Sequence, residues 1–159
     1  MTVIEVTLAA AILVVALTSF FAALASGMRT SKYGADRNRA YDDLRTAVAV
    51  FSKDARQGVA VTDATTTRVS LRTYVAGNLT TVTWRTVPDG SGQYNLARSE
   101  GTAGARVFVV NVTDDDVFGY FGEVDPARIH RVRISLATRP DPRYPEVVLS
   151  ADLEMRNAT

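Results

Sequence analysis

Residues 1–28 read MTVIEVTLAAAILVVALTSFFAALASGM. The 23 residues 6–28 carry no charge, and 18 of them are hydrophobic; the exceptions are Thr7, Thr18, Ser19, Ser26 and Gly27. At about 1.5 Å of rise per residue, a helix over this run covers roughly 35 Å, enough for a hydrocarbon core of about 30 Å. The other 136 positions of the 159-residue chain hold 56 hydrophobic residues, the proportion of a soluble domain. A membrane-length helix joined to one soluble domain is the organisation this implies.

The charges around the run are uneven. No Lys or Arg precedes it, whereas Arg29, Lys32, Arg37 and Arg39 follow it. A secretory signal peptide would need a basic start and a shorter apolar core, although Ala23-Leu24-Ala25 resembles a cleavage box. In an uncleaved anchor the basic residues would hold the following domain in the cytoplasm. A short basic leader removed from the front would resolve that conflict. Glu5 is the one carboxylate at the edge of the run, and carrying it alone into lipid costs a few kcal/mol. It needs a partner, and the nearest fixed positive charge is the α-amino group of Met1, in its own chain or a neighbouring one. The alternative is a carboxylate at headgroup level with no role.

Met1-Thr2-Val3-Ile4-Glu5-Val6, followed by about twenty apolar residues, resembles the mature N-terminus of type IV pilins and type II secretion pseudopilins. Their signature runs Phe or Met, Thr, Leu or a similar residue, Ile, Glu, then Leu or Val. The likeness covers residues 1 to about 30 and is architectural beyond. It implies that a prepilin peptidase cuts just before Met1, that the new amine is often N-methylated, and that Glu5 guides register during assembly. The implied product is a homo-oligomeric helical filament, built with other pilins and assembly machinery from a subunit first held in the inner membrane. Its core would be lined by Val6, Leu8, Ile12, Leu13, Val15, Leu17, Phe20, Phe21 and Leu24.

Beyond the span, Tyr41, Leu44, Val48 and Phe51 recur at spacings of three and four, one face of a helix, with Arg37, Arg39, Asp42, Asp43, Arg45 and Lys53 opposite. An amphipathic continuation therefore follows, ending near Gly58, placed as a C-terminal cap after Arg56. No proline occurs before Pro88, so a single helix over residues 2–57 would be about 84 Å long. If it bends, the place is between Gly27 and Gly34, each costing about 1 kcal/mol relative to Ala. Ala9, Ala10, Ala11, Ala16, Ala22, Ala23 and Ala25 permit close helix approach, as in any spanning helix.

After Gly58 the period shortens to two. Strands are expected around 69–75, 81–86, 94–98, 106–112, 129–138 and 147–155, with a turn at Asp89-Gly90-Ser91-Gly92 and a proline-rich connection over 140–145. The expected fold class is α+β and pilin-like: a long N-terminal helix packed on an antiparallel sheet of about five or six strands. Its parts would be a hydrophobic helix over 1–28, an amphipathic helix over 29–58 and a β-rich head over 59–159. The hairpin from Trp84-Arg85 through the Asp89 turn to Leu96-Ala97-Arg98 is similar to one in J-type pseudopilins and minor-pilin relatives.

Composition excludes several classes. Zero cysteines remove disulfides, Cys-based zinc sites and thiol nucleophiles. A net charge of +1 lacks the footprint of a dedicated nucleic-acid binder. A lone histidine, His130, does not make a catalytic triad. Asp114 and Asp116, in the run Asp114-Asp115-Asp116, are weak cation-ligand candidates, since neighbouring aspartates diverge and the spacing is not that of an EF-hand. No cofactor is expected. Arg outnumbers Lys 16 to 2, which suits bidentate contacts but equally reflects base composition. Asn78, Asn111 and Asn157 begin glycosylation acceptor patterns, relevant only to an exported domain.

The expected function is a non-enzymatic subunit of an extracellular type IV pilus. Alternatives are a minor pilin or secretion pseudopilin priming a short envelope-spanning filament and, in another class, a membrane-anchored adhesin or a DNA-uptake binding protein. The near-neutral charge argues against nucleic acid as a partner.

Overall fold

A computed structural model describes residues 2–121, 125–139 and 145–155. One helix, α1, runs over Val3–Arg56. It passes through Gly27 and Gly34 without interruption, so the bend considered there does not break the helical ladder. With no proline in the helix, the cost of two glycines is small against a continuous set of backbone hydrogen bonds. The chain divides into two compact units, Met1–Arg37 and Asn38–Thr159. In the first, the only element among the described residues is α1.

In the second, the end of α1 packs on an antiparallel, curled sheet of eight strands, so the architecture is α+β. They are β1 (Gly58–Thr65), β2 (Arg68–Val75), β3 (Asn78–Pro88), β4 (Tyr94–Glu100), β5 (Arg106–Val112), β6 (Phe118–Tyr120), β7 (Arg131–Thr138) and β8 (Val147–Glu154). The order is β1-β2-β3-β4-β5-β7-β6, with β8 also paired to β7. Eight strands replace the expected five or six, and the additions are β1 and β6. Register shifts between Gly58 and Ala60 and between Val61 and Asp63 break the period of two in β1. With three residues, β6 is too short to show any period. The strand expected from residue 129 starts at Arg131. Of the proline-rich connection, residues 140–144 lie outside the described residues.

The turns explain the pairing. Ala76 and Gly77 take φ of 49° and 85°, the left-handed pair that a two-residue hairpin requires, and they join β2 to β3 in unbroken register. At the expected Asp89 turn, the carboxylate accepts the Ser91 and Gln93 amides at 2.7 and 3.2 Å. Gly58 is not a left-handed cap. It is the first residue of β1, and a Cβ there would lie 3.0 Å from both the Ala55 carbonyl oxygen and Met155 Cε.

The core lies between α1 and the inner sheet face. Leu44, Ala47, Phe51 and Ala55 are fully buried against Val69, Leu71, Val82, Trp84, Leu96, Ile134 and Leu136. Phe51 stands edge-on to Trp84 with centroids 5.6 Å apart, and Phe118 and Phe108 extend the aromatic cluster.

Candidate assembly surface and helix lock

At its start α1 is closed by a reciprocal cap. Thr2 Oγ1 accepts the Glu5 amide at 3.4 Å, and Glu5 Oε2 accepts the Thr2 amide at 2.8 Å. This is the Thr-x-x-Glu capping box, in which two otherwise orphaned donors of the first turn are satisfied together. The spacing was present in the sequence as Thr2-Val3-Ile4-Glu5 and gives Glu5 a local partner that sequence reading had not assigned. Met1, the other partner considered, lies outside the described residues.

The helix that follows presents its apolar side chains outward. Val6, Leu8, Ile12, Leu13, Val15, Leu17, Phe20, Phe21 and Leu24 are all exposed. Its most apolar stretch has a mean hydropathy of 2.5 and is wholly exposed, and the helix is long and apolar enough to cross a membrane. Its hydroxyls do not interrupt that character. Thr7 donates to the Ile4 carbonyl at 2.9 Å, Thr18 to Val14 at 2.7 Å and Ser19 to Val15 at 2.9 Å, so these three hydroxyls are satisfied within the helix.

In the second unit the expected packing stripe is displaced by part of a turn. Leu44 and Phe51 are buried and Val48 is half-buried against the core, whereas Tyr41 is 37 % exposed; Ala47 and Ala55 complete the buried face. These small residues let the helix approach the sheet closely, and a stripe of large apolar side chains alone does not include them.

Sequence reading also missed Asp54. Its carboxylate is buried in the last helical turn, where the negative end of the helix dipole disfavours it. Three donors compensate. Trp84 Nε1 lies 2.9 Å from Oδ2, Arg98 Nε 2.7 Å from the same oxygen, and Arg98 Nη2 3.1 Å from Oδ1. Arg98 also pairs with Glu100, and Thr73 donates to the Asp54 carbonyl at 3.0 Å. Burial works against the Arg98 charge, yet the hydrogen bonds it donates to Asp54 and Glu100 outweigh it and raise its pKa further. Helix, β2, β3 and β4 are thereby tied together at one point. The signal that could have found it is an aspartate at i+3 from Phe51, on the apolar face of an otherwise ordinary amphipathic pattern.

Other candidates lie apart. Asp114 and Asp116 are exposed, and among the described residues no three His, Cys, Asp or Glu side chains come together as a metal site. His130 is exposed just before β7. Asn78 is exposed at the β2–β3 hairpin, Asn111 is half-buried with φ of 56°, and Asn157 lies outside the described residues. On the outer face of β7 and β8, Arg133 grips Asp152 at 2.6 and 3.0 Å, and Arg131 joins it at 3.1 Å, both guanidiniums lying over the Phe121 ring.

Compared with known proteins, the chain matches no family model, no curated protein and no solved structure.

Proposed function

We propose that this protein is a structural subunit of the type IV pilin kind, held in a membrane by residues 6–28 and assembled through them into a filament. The observation that carries the reading is a 23-residue uncharged stretch of helix, exposed on all sides, preceded by a single carboxylate, Glu5, in the first turn of α1. Fully burying one Leu, Ile, Val or Phe side chain is worth about 1.5–3 kcal/mol, so nine such residues cannot face water. They pass from lipid directly into a bundle of like helices, and the hollows beside Ala11 and Ala16 and beside Ala23 and Gly27 receive side chains of neighbouring copies. Prepilin peptidase, assembly machinery and other pilins are the partners that follow from this reading. A minor pilin or secretion pseudopilin would share every feature named.

Glu5 has two separable duties in this proposal, capping the helix and carrying charge into the bundle. Glu5→Ala removes both, while Glu5→Gln keeps a capping side chain and removes the charge. Both variants should insert in the membrane and yield few or no filaments by negative-stain microscopy. Normal filament yield from Glu5→Ala overturns the assembly role, and normal yield from Glu5→Gln alone reduces it to the cap. A second reading, a membrane-anchored adhesin or receptor, is favoured by the spanning length itself. It requires no N-terminal processing and no polymer, which N-terminal sequencing and microscopy of the membrane fraction decide.

A further inference from the structure

We propose that the groove between the β1–β2 turn and β3 binds a phosphoryl or sulfuryl oxyanion held between Arg85 and Arg68. It is lined by Thr65, Thr67, Arg68, Arg85 and Thr86. Arg68 and Arg85 are direct cross-strand partners, an arrangement that destabilises a sheet when both residues carry the same charge. Only half of that repulsion is answered within the chain. Arg68 meets Asp63 at 2.5 Å, whereas the Arg85 side chain is exposed and has no hydrogen bond, ion pair or ring partner among the described residues.

The turn that shapes the groove is held from several sides. Thr86 donates its amide to the Thr67 carbonyl at 3.0 Å, and Phe118 donates to Thr66 at 2.9 Å. The Tyr120 hydroxyl lies 2.9 Å from the Thr65 carbonyl and 3.2 Å from that of Arg68. Burial first, then the nearby Asp63 charge, push the Tyr120 phenol well above its ordinary pKa, so it remains a neutral donor. The threonine hydroxyls are spent locally: Thr65 on the Arg68 carbonyl, Thr67 on Thr65, and Thr86 on the Thr67 and Asp115 carbonyls. They wall the groove, and the two guanidiniums supply the donors. Two planar forks rising from residues about 5 Å apart match a tetrahedral anion, which has enough oxygens to engage both at once. A rigid turn means that little ordering is needed on binding.

The proposal is independent of the filament reading. The test is thermal unfolding of the full chain in zwitterionic detergent, with sodium phosphate or sulfate compared against chloride at equal ionic strength. Phosphate should raise Tm above chloride in the wild type. Arg85→Gln should weaken the half-saturating concentration about tenfold, and Arg85→Lys by less, because it keeps the charge and loses the fork. Arg72→Gln, on the same face but opposite Thr81, should leave it unchanged. Linear polyphosphate distinguishes the source: tighter binding than inorganic phosphate assigns the groove to a polymer, equal binding to a free anion, and both support the site. No gain over chloride, or an equal gain in wild type and Arg85→Gln, overturns it.

Discussion

The two parts of α1 use the same backbone for opposite purposes. In its first half, Val3, Ile4 and Met28 are three-quarters or more exposed, whereas in its second Leu44, Ala47, Phe51 and Ala55 lose all contact with solvent. Both parts form because nothing in the run breaks the helical ladder, yet only the second gains stability from burial inside its own chain. Burial rather than propensity supplies most helical stability in proteins, and the first part buries none of its apolar side chains within its own chain. An apolar residue is thus a core residue in one half and an exposed one in the other.

The strongest test of that contrast removes the first half. A chain starting at residue 37 should stay monodisperse in detergent-free buffer by size-exclusion chromatography, with the near-UV signal of Trp84 intact; aggregation would show that the head depends on the helix removed. Next in size is the lock. Arg98→Ala leaves the Asp54 carboxylate buried with only the Trp84 donor, and chemical denaturation should show a loss of about 3–5 kcal/mol. Asp54→Leu combined with Arg98→Leu should recover much of that loss, since no buried charge is then left alone. Phe51→Ala, which empties the space beside Trp84 and Phe118, should cost about 3–5 kcal/mol in the head and nothing in membrane insertion.

A smaller effect is expected at the cap. Thr2→Ala should cost about 1 kcal/mol, read as faster hydrogen exchange of the first-turn amides and no change at Asp54. The smallest concerns acid. Hydrogen bonds from Ser91 hold Asp89 below its ordinary pKa of 3.8, and the Arg133 hydrogen bond does the same for Asp152. A depressed folded pKa contributes stability above about pH 4 that is lost as pH falls through the folded value. Asp152→Asn should therefore flatten slightly the decline in Tm below pH 4 and leave Tm near pH 7 only a little lower, because the group is exposed.

How much was legible follows from the range of each interaction. The spanning run, the amphipathic continuation and six of the strands announce themselves by periods of 3.6 or 2. Bulges removed that period from β1, and β6 offers three residues. Arg98 stood in view as part of a hairpin, but its partner Asp54 is 44 positions away and no local pattern links them. The Arg68–Arg85 pair is likewise invisible until the hairpin register places the two side by side.

By itself the sequence determined where the chain is helical, where it is extended, and that residues 6–28 cannot remain in water, because each depends on neighbours a few positions apart. Only the tertiary structure decided which face of the helix end is buried, that Asp54 and Arg98 neutralise each other, and that Arg85 stands beside Arg68 with no acid of its own among the described residues. Those outcomes depend on pairing between distant strands, and charge compensation is a property of the partners that folding brings together.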